Sequence, residues 1–286
     1  MDLPATTNSL RRANPDGVSD LASPLLLVLP VTGAVVGFLA GLLGIGGGFL
    51  MVPVATWLFV VLDPSSAPFA VHTAIGTSLA TIVPTALSSA RAHWRRGGTD
   101  LRALRLWAPL IVLGALGGGV VARGLEADAL SRLFGLFVGL LAVHFALPRG
   151  LPILRNPPAG PIATRVIAVF VGLASALIGI GGAVLSVPAL RAGGLSMHRA
   201  ISTGAAIGFF IAVPGALGYI AAGWGLLDRP PGSLGFVNVP AWALLMVPSI
   251  AMAPIGAAVA HRTDADRLRR YFALFLALVA ARMALA

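Results

Sequence analysis

The sequence predicts an all-α integral membrane protein of two inverted-topology repeats, each a glycine-broken helical hairpin followed by three transmembrane helices. Three observations predict it. Of 286 residues, 57% are hydrophobic and 10% charged, with a mean hydropathy of +0.92, which excludes an ordinary soluble domain and a disordered chain. The stretch from Gly37 to Pro53, G-F-L-A-G-L-L-G-I-G-G-G-F-L-M-V-P, returns 135 residues later as Gly172 to Pro188, G-L-A-S-A-L-I-G-I-G-G-A-V-L-S-V-P. Each copy also runs an apolar segment into a glycine cluster. Glycine costs a helix interior about 1 kcal/mol relative to alanine, so several together break the helix, and in lipid such a break is tolerated only where protein or a water-filled cavity surrounds it.

In chain order, residues 1–23 hold Pro4, Pro15 and Gly17 with mixed charge and read as a disordered tail. No charged start feeds a cleavable apolar core there, so a signal peptide is not expected. The first repeat, 24–147, offers apolar segments from Pro24 to Gly44, Phe49 to Leu62, His72 to Ala90, Ala103 to Ala122 and Leu130 to Leu147. A Pro-rich linker, 148–161, precedes the second repeat, 162–286. Its segments run from Ile162 to Ile180, Ala183 to Leu190, Ala200 to Gly223, Val237 to Ala260 and Tyr271 to Leu285. Crossing the hydrocarbon takes about 20 apolar residues, whereas eight residues from Ala183 rise only about 12 Å as a helix. The first two segments of each half therefore read as a hairpin that enters and leaves on one side. Three crossings follow, so the second half is inserted upside down, as in many secondary transporters.

The arginines sort the same way. Lysine is absent, and the hairpin reading gathers fourteen of the twenty arginines on one face, leaving Arg11, Arg12, Arg123, Arg132, Arg229 and Arg282 on the other. A parallel eight-crossing reading divides them twelve to eight. The positive-inside rule favours the hairpin, making the arginine-rich face, the linker included, cytoplasmic in a bacterial inner membrane and both termini non-cytoplasmic. The +10 charge reads as this orientation signal, with no nucleic-acid partner. There is no cysteine, hence no disulfide or thiolate chemistry.

Further correspondences join the halves: His72-Thr73-Ala74-Ile75-Gly76-Thr77 with His198-Arg199-Ala200-Ile201-Ser202-Thr203, and Arg132-Leu133-Phe134 with Arg270-Tyr271-Phe272. The glycine clusters, Gly44, Gly46, Gly47 and Gly48 in one copy and Gly179, Gly181 and Gly182 in the other, are the candidate substrate site. Amides that open the resumed helices are placed to face a small anion. Close packing is the competing reading, since Gly33, Gly37 and Gly41 are spaced like a helix contact face. No Lys-Ser or Lys-Thr follows and no strand precedes, which argues against a P-loop. A side chain at Gly47 or Gly182 is expected to strain a turn that needs positive φ. Thr77, Ser78, Thr81 and Thr203 supply hydroxyls for substrate oxygens or for neighbouring backbone. Replacing Thr77 or Thr203 by valine is expected to weaken binding with melting near normal. His72 and His198 stand at equivalent helix ends as candidates for proton coupling, or as interfacial helix-end groups. All ten acidic residues lie in tails or loops, which favours an anionic substrate over a cation. No metalloprotease motif or nucleophile elbow occurs, so neither an enzyme, a metal site nor a cofactor is expected.

The paired glycine motifs, with Ala74-Ile75-Gly76-Thr77-Ser78-Leu79-Ala80 and its weaker second copy, resemble the TauE/SafE family of membrane transporters, the sulfite exporter family. The likeness runs from about Pro30 to Leu285. It implies export or permeation of sulfite, sulfoacetate or related organosulfonates, with the glycine loops and Thr77, Ser78 and Thr203 as substrate region. The second copy departs at Ala183, where the first has Gly48, and at Gly204, where the first has Ser78. The expected protein is a secondary transporter of small sulfur-containing anions working by alternating access between the halves. A small anion and membrane lipid are its expected partners, and a homo-oligomer is left open. The alternatives are a non-transporting assembly or sensor protein that packs through its glycines, and an anion channel.

Overall fold

The computed structural model describes residues 27–39, 48–147, 160–226, 229–260 and 265–284. Their backbone is almost wholly helical, as lipid requires of a chain that must satisfy its own amides and carbonyls. The first half contains α1 (Leu27–Leu39), α2 (Gly48–Leu62), α3 (Ala67–Arg95), α4 (Leu101–Arg123) and α5 (Ala127–Ala146). The second contains α6 (Pro161–Ile178), α7 (Ala183–Ala192), α8 (Met197–Ala222), α9 (Val239–Ala260) and α10 (Ala265–Ala284). A two-stranded antiparallel hairpin, β1 (Ser233–Leu234) and β2 (Val237–Asn238), precedes α9. Among the described residues, α3, α4, α5, α6, α8 and α9 are long and apolar enough to cross a membrane.

Local chemistry sets the boundaries. Asp100 opens α4 by accepting the Arg102 and Ala103 amides, both at 3.0 Å, and Asn238 opens α9 by accepting the Ala241 amide at 2.9 Å, as helix-capping side chains do. Two expected boundaries move. Helix α3 begins before His72 and continues past Ala90, because Pro68 suits a first helical turn and Arg-Ala-His-Trp-Arg contains no breaker. Helix α10 begins at Ala265, so the end of the expected Arg262 to Arg270 loop is helical; Asp-Arg-Leu-Arg-Arg likewise has no Gly or Pro to stop it. At ten residues, about 15 Å, α7 stays too short to cross.

Side-chain and glycine contacts give the helix directions. Along α3 and α8, Gly76 lies by Tyr219, Leu79 by Gly215 and Ala86 by Gly208, and His93 bonds Ser202, so the two run antiparallel over their whole length. Helix α4 runs parallel to α8, with Asp100 beside Thr203 and Gly119 against Gly218. It also runs parallel to α6, with Gly114 against Val169 and Gly118 against Ala176. Because α4, α6 and α8 begin on one face, α7 has to return to that face, and α6 with α7 forms a hairpin. On the other side, α1 runs parallel to α9, with Gly33 against Leu245 and Gly37 against Ser249. Helix α9 starts where α8 ends and α3 begins, at the Phe236 amide bonded to the Tyr219 carbonyl. So α1 and α3 begin together and α2 returns.

Close backbone approach explains the spaced glycines. A methyl group on Gly37 would overlap the Ser249 carbonyl, and one on Gly172 would overlap that of Ile111. Gly37 and Gly172 are 135 positions apart, Ile111 and Ser249 138, the latter also separating Arg132 from Arg270. The same contact thus recurs in both halves. Large apolar side chains such as Val120, Val166, Phe170 and Leu278 remain exposed around the bundle, an outer surface suited to lipid.

Candidate functional site

The second glycine break is built by two residues with different jobs. Gly179 ends α6 with φ 69; its amide donates to the Ala176 carbonyl at 3.3 Å and the Ile180 amide to that of Ser175 at 3.1 Å, the left-handed cap that glycine adopts at least cost. Gly182 opens α7 with φ −59. The expectation of positive φ at Gly182 is therefore corrected: the left-handed residue is Gly179. What crowds Gly182 is α8, with Ile207, Gly208 and Ile211 around it. The Ser186 amide and hydroxyl both donate to its carbonyl, at 2.9 and 2.7 Å, and no side chain caps the first turn of α7. Gly181 is buried between the two.

The start of α2 reaches the second break directly. Gly48, the first residue of α2, lies so close to the Gly179 carbonyl that a methyl group would overlap it, and the Ser78 Oγ would stand 3.2 Å from that methyl. Ser78, fully buried, donates its hydroxyl to the Gly179 oxygen at 2.8 Å. Gly48, Ser78 and Gly179 thus meet at one point inside the bundle. Gly44, Gly46 and Gly47 lie outside the described residues.

The paired threonines have partners that sequence reasoning missed. Thr77 donates to the Thr73 carbonyl at 2.6 Å and accepts the Asn238 amide at 2.9 Å. Thr203 accepts the Asp100 amide, also at 2.9 Å. Each threonine therefore holds the capping residue of a helix from the opposite half, and Asp100 and Asn238 stand 138 positions apart. Two capping residues at the repeat spacing were the available signal. Thr81 donates to the Thr77 carbonyl at 2.9 Å. The Ser78 arrangement has no hydroxyl at Gly204, its counterpart.

His72 and His198 occupy unlike environments. His72 is buried, with its ring against Phe69 and Phe236, while His198 is exposed. The difference traces to Phe236 and Gly98, 138 positions apart: His72 stacks 5.1 Å from the Phe236 ring, whereas His198 has Gly98 in the equivalent place, where a Cβ would stand 3.3 Å from its Nε2.

Among the described residues, charge lies toward the helix ends. Arg91, Arg95, Arg96, Arg102, Arg105, Arg165, Arg191 and Arg199 cluster at the face where α4, α6 and α8 begin. The Arg199–Asp100 ion pair there, 3.3 Å and largely exposed on the arginine side, contributes little by itself. Among the described residues, Asp63, Asp100, Glu126, Asp128 and Asp266 all stand at or before the first turn of a helix.

Six membrane-length helices, with shorter ones that open at Gly48 and Gly182, define a multi-pass membrane protein. The chain belongs to the sulfite exporter TauE/SafE family, whose model matches residues 29–283, and it is a membrane transporter of that family. A protein of Haemophilus influenzae described as a "Probable membrane transporter protein" is 33% identical over 258 residues, 90% of this chain and 97% of its own length. A "Probable membrane transporter protein" of Methanocaldococcus jannaschii is 25% identical over 256 residues, 88% of this chain and 94% of that one. No solved structure matches the chain.

Proposed function

We propose that the protein is a secondary transporter that exports sulfite or a related organosulfonate by alternating access between two inversely inserted halves, with the arginine-rich face in the cytoplasm. The observation that carries this reading is the contact of Gly48 with Gly179 and Ser78, where the start of α2 meets the end of α6. The opposed directions of α1 and α3 against α6 and α8 support the inverted arrangement. Helix N-termini at Gly48 and Gly182 offer amides and the positive ends of helix dipoles to an anion, and the Ser78 hydroxyl ties the end of α6 to this place. Thr77 and Thr203 contribute by fixing the starts of α9 and α4 against the opposite half. No acidic side chain lies deep in a described helix to repel an anion.

Flux in proteoliposomes tests the function. Vesicles loaded with sulfite are expected to release it at a rate that saturates with concentration and falls on addition of methanesulfonate. Release linear in concentration would favour a channel, and release equal to protein-free vesicles would favour an assembly or sensor protein.

A further inference from the structure

His72 is the described histidine most removed from solvent, 1% exposed, and its hydrogen bonds fix its state. Nε2 lies 3.0 Å from the Ala122 carbonyl and 3.1 Å from that of Leu125. Both partners are acceptors, so the proton of the neutral ring sits on Nε2. Nδ1 is then a lone pair, buried and without a hydrogen-bond partner. The next residue, Thr73, is also fully buried with an unpartnered hydroxyl. Buried polar atoms are nearly always paired, and an exception calls for a role.

We infer that His72 binds a proton on Nδ1 during transport and that this proton accompanies the anion. The inference rests on the transport reading given above. In the step, an N–H bond forms at Nδ1 as an O–H bond of a water-borne proton breaks, and the ring becomes an imidazolium still held through Nε2 by the two carbonyls. Passage of the proton to water on the other side restores the neutral ring. Ser78, which bonds the Gly179 carbonyl, stands six residues further along the same helix, an axial rise of about 9 Å. The charged groups on surrounding elements are Arg123 on α4, Glu126 and Asp128 at the start of α5, and Arg229 before β1. The first three are exposed, and Arg229 is bonded to the Leu226 and Gly235 carbonyls. Tyr219 on α8 donates to the Leu177 carbonyl. None of these side chains is bonded to the ring. His198 lies exposed and is assigned no such role.

Two measurements on the full-length protein test this. Ring-nitrogen NMR of histidine-labelled wild type and His72→Gln assigns the His72 ring by difference; should that variant not fold, Gln variants of His93, His144, His198 and His261 assign it by elimination. The expected result is a neutral Nε2–H ring whose Nδ1 gains a proton on acidification. A neutral Nδ1–H ring, or one that stays neutral down to about pH 4, well below the usual histidine range, overturns the proposal. In proteoliposomes carrying a trapped pH indicator, a methanesulfonate gradient is expected to move protons in wild type and His198→Gln. Proton movement is expected to be lost in His72→Gln, which retains methanesulfonate exchange. Methanesulfonate does not titrate in this range, so a wild type that moves it without protons, or a His72→Gln variant that still moves protons, also overturns the proposal. Absence of any sulfite or methanesulfonate flux sinks the transport reading instead, while the ring spectra still decide whether Nδ1 binds a proton.

Discussion

Gly48→Ala is expected to abolish sulfite flux and sharply reduce the yield of folded protein, whereas Gly182→Ala is expected to lower both far less. The two positions look alike in the sequence, each opening a short helix after a glycine run. Their surroundings differ. A methyl group on Gly48 would overlap the backbone carbonyl of Gly179, and two backbones cannot separate here without pulling one hairpin off the other and breaking the Ser78–Gly179 bond. Overpacking a core costs about 1–3 kcal/mol when side chains can yield, and more is expected where the neighbour is backbone. On Gly182 the shortest contact of the added methyl would be 2.5 Å to the Ile211 Cδ1, the far end of a flexible side chain that can rotate; the Ile207 Cγ2 at 3.1 Å and the Gly208 Cα at 3.3 Å need give by only a few tenths of an ångström, and φ of −59 is open to alanine. Melting temperature, yield and flux read the contrast together. Equal losses in the two variants would mean that the hairpins do not meet at Gly48.

Thr77→Val and Thr203→Val are expected to lower stability more than affinity. Each leaves a backbone amide, of Asn238 or Asp100, without its acceptor, and an orphaned buried donor costs about 1–3 kcal/mol. At roughly 2–4 °C per kcal/mol for a chain of this order of size, melting falls by several degrees. Thr77 is the more damaging site, because its bond is buried while that of Thr203 is only partly so. Thr77→Ser, which keeps the acceptor, melts close to wild type. The two threonines sit at opposite ends of the α3–α8 pair, so the double variant sums the single losses. Wild-type melting combined with weaker sulfite binding would return both hydroxyls to the substrate.

The helical segments and the second glycine break were legible in the sequence, because apolar length and clustered glycines report directly on what a helix can do in lipid. The shortness of α7 even gave the hairpin, since no choice of ends turns ten residues into a crossing. Contacts were less legible. The spacing that pairs Thr77 with Thr203 states equivalence and is silent on partners, so the amides of Asn238 and Asp100 came only from the fold. His72 and His198 show the same limit: their environments were decided by Phe236 and Gly98, residues far along the chain that no local pattern links to a histidine. Glycine conformation was misassigned for a related reason. Whether Gly179 or Gly182 turns left-handed depends on where α6 ends, and Gly179, Gly181 and Gly182 were equally able to end it.

Opposite insertion of the two halves underlies the proposed alternation, and the ends of the α6–α7 pair test it most directly. The chain has no cysteine, so Ile162→Cys, Arg191→Cys and Leu234→Cys each introduce a single thiol at an exposed position. With a membrane-impermeant thiol reagent applied to intact cells, Leu234→Cys is expected to label from outside, and Ile162→Cys and Arg191→Cys only after the membrane is opened. Labelling of Ile162→Cys and Arg191→Cys from opposite sides would make α6 and α7 one continuous crossing and contradict the inverted arrangement.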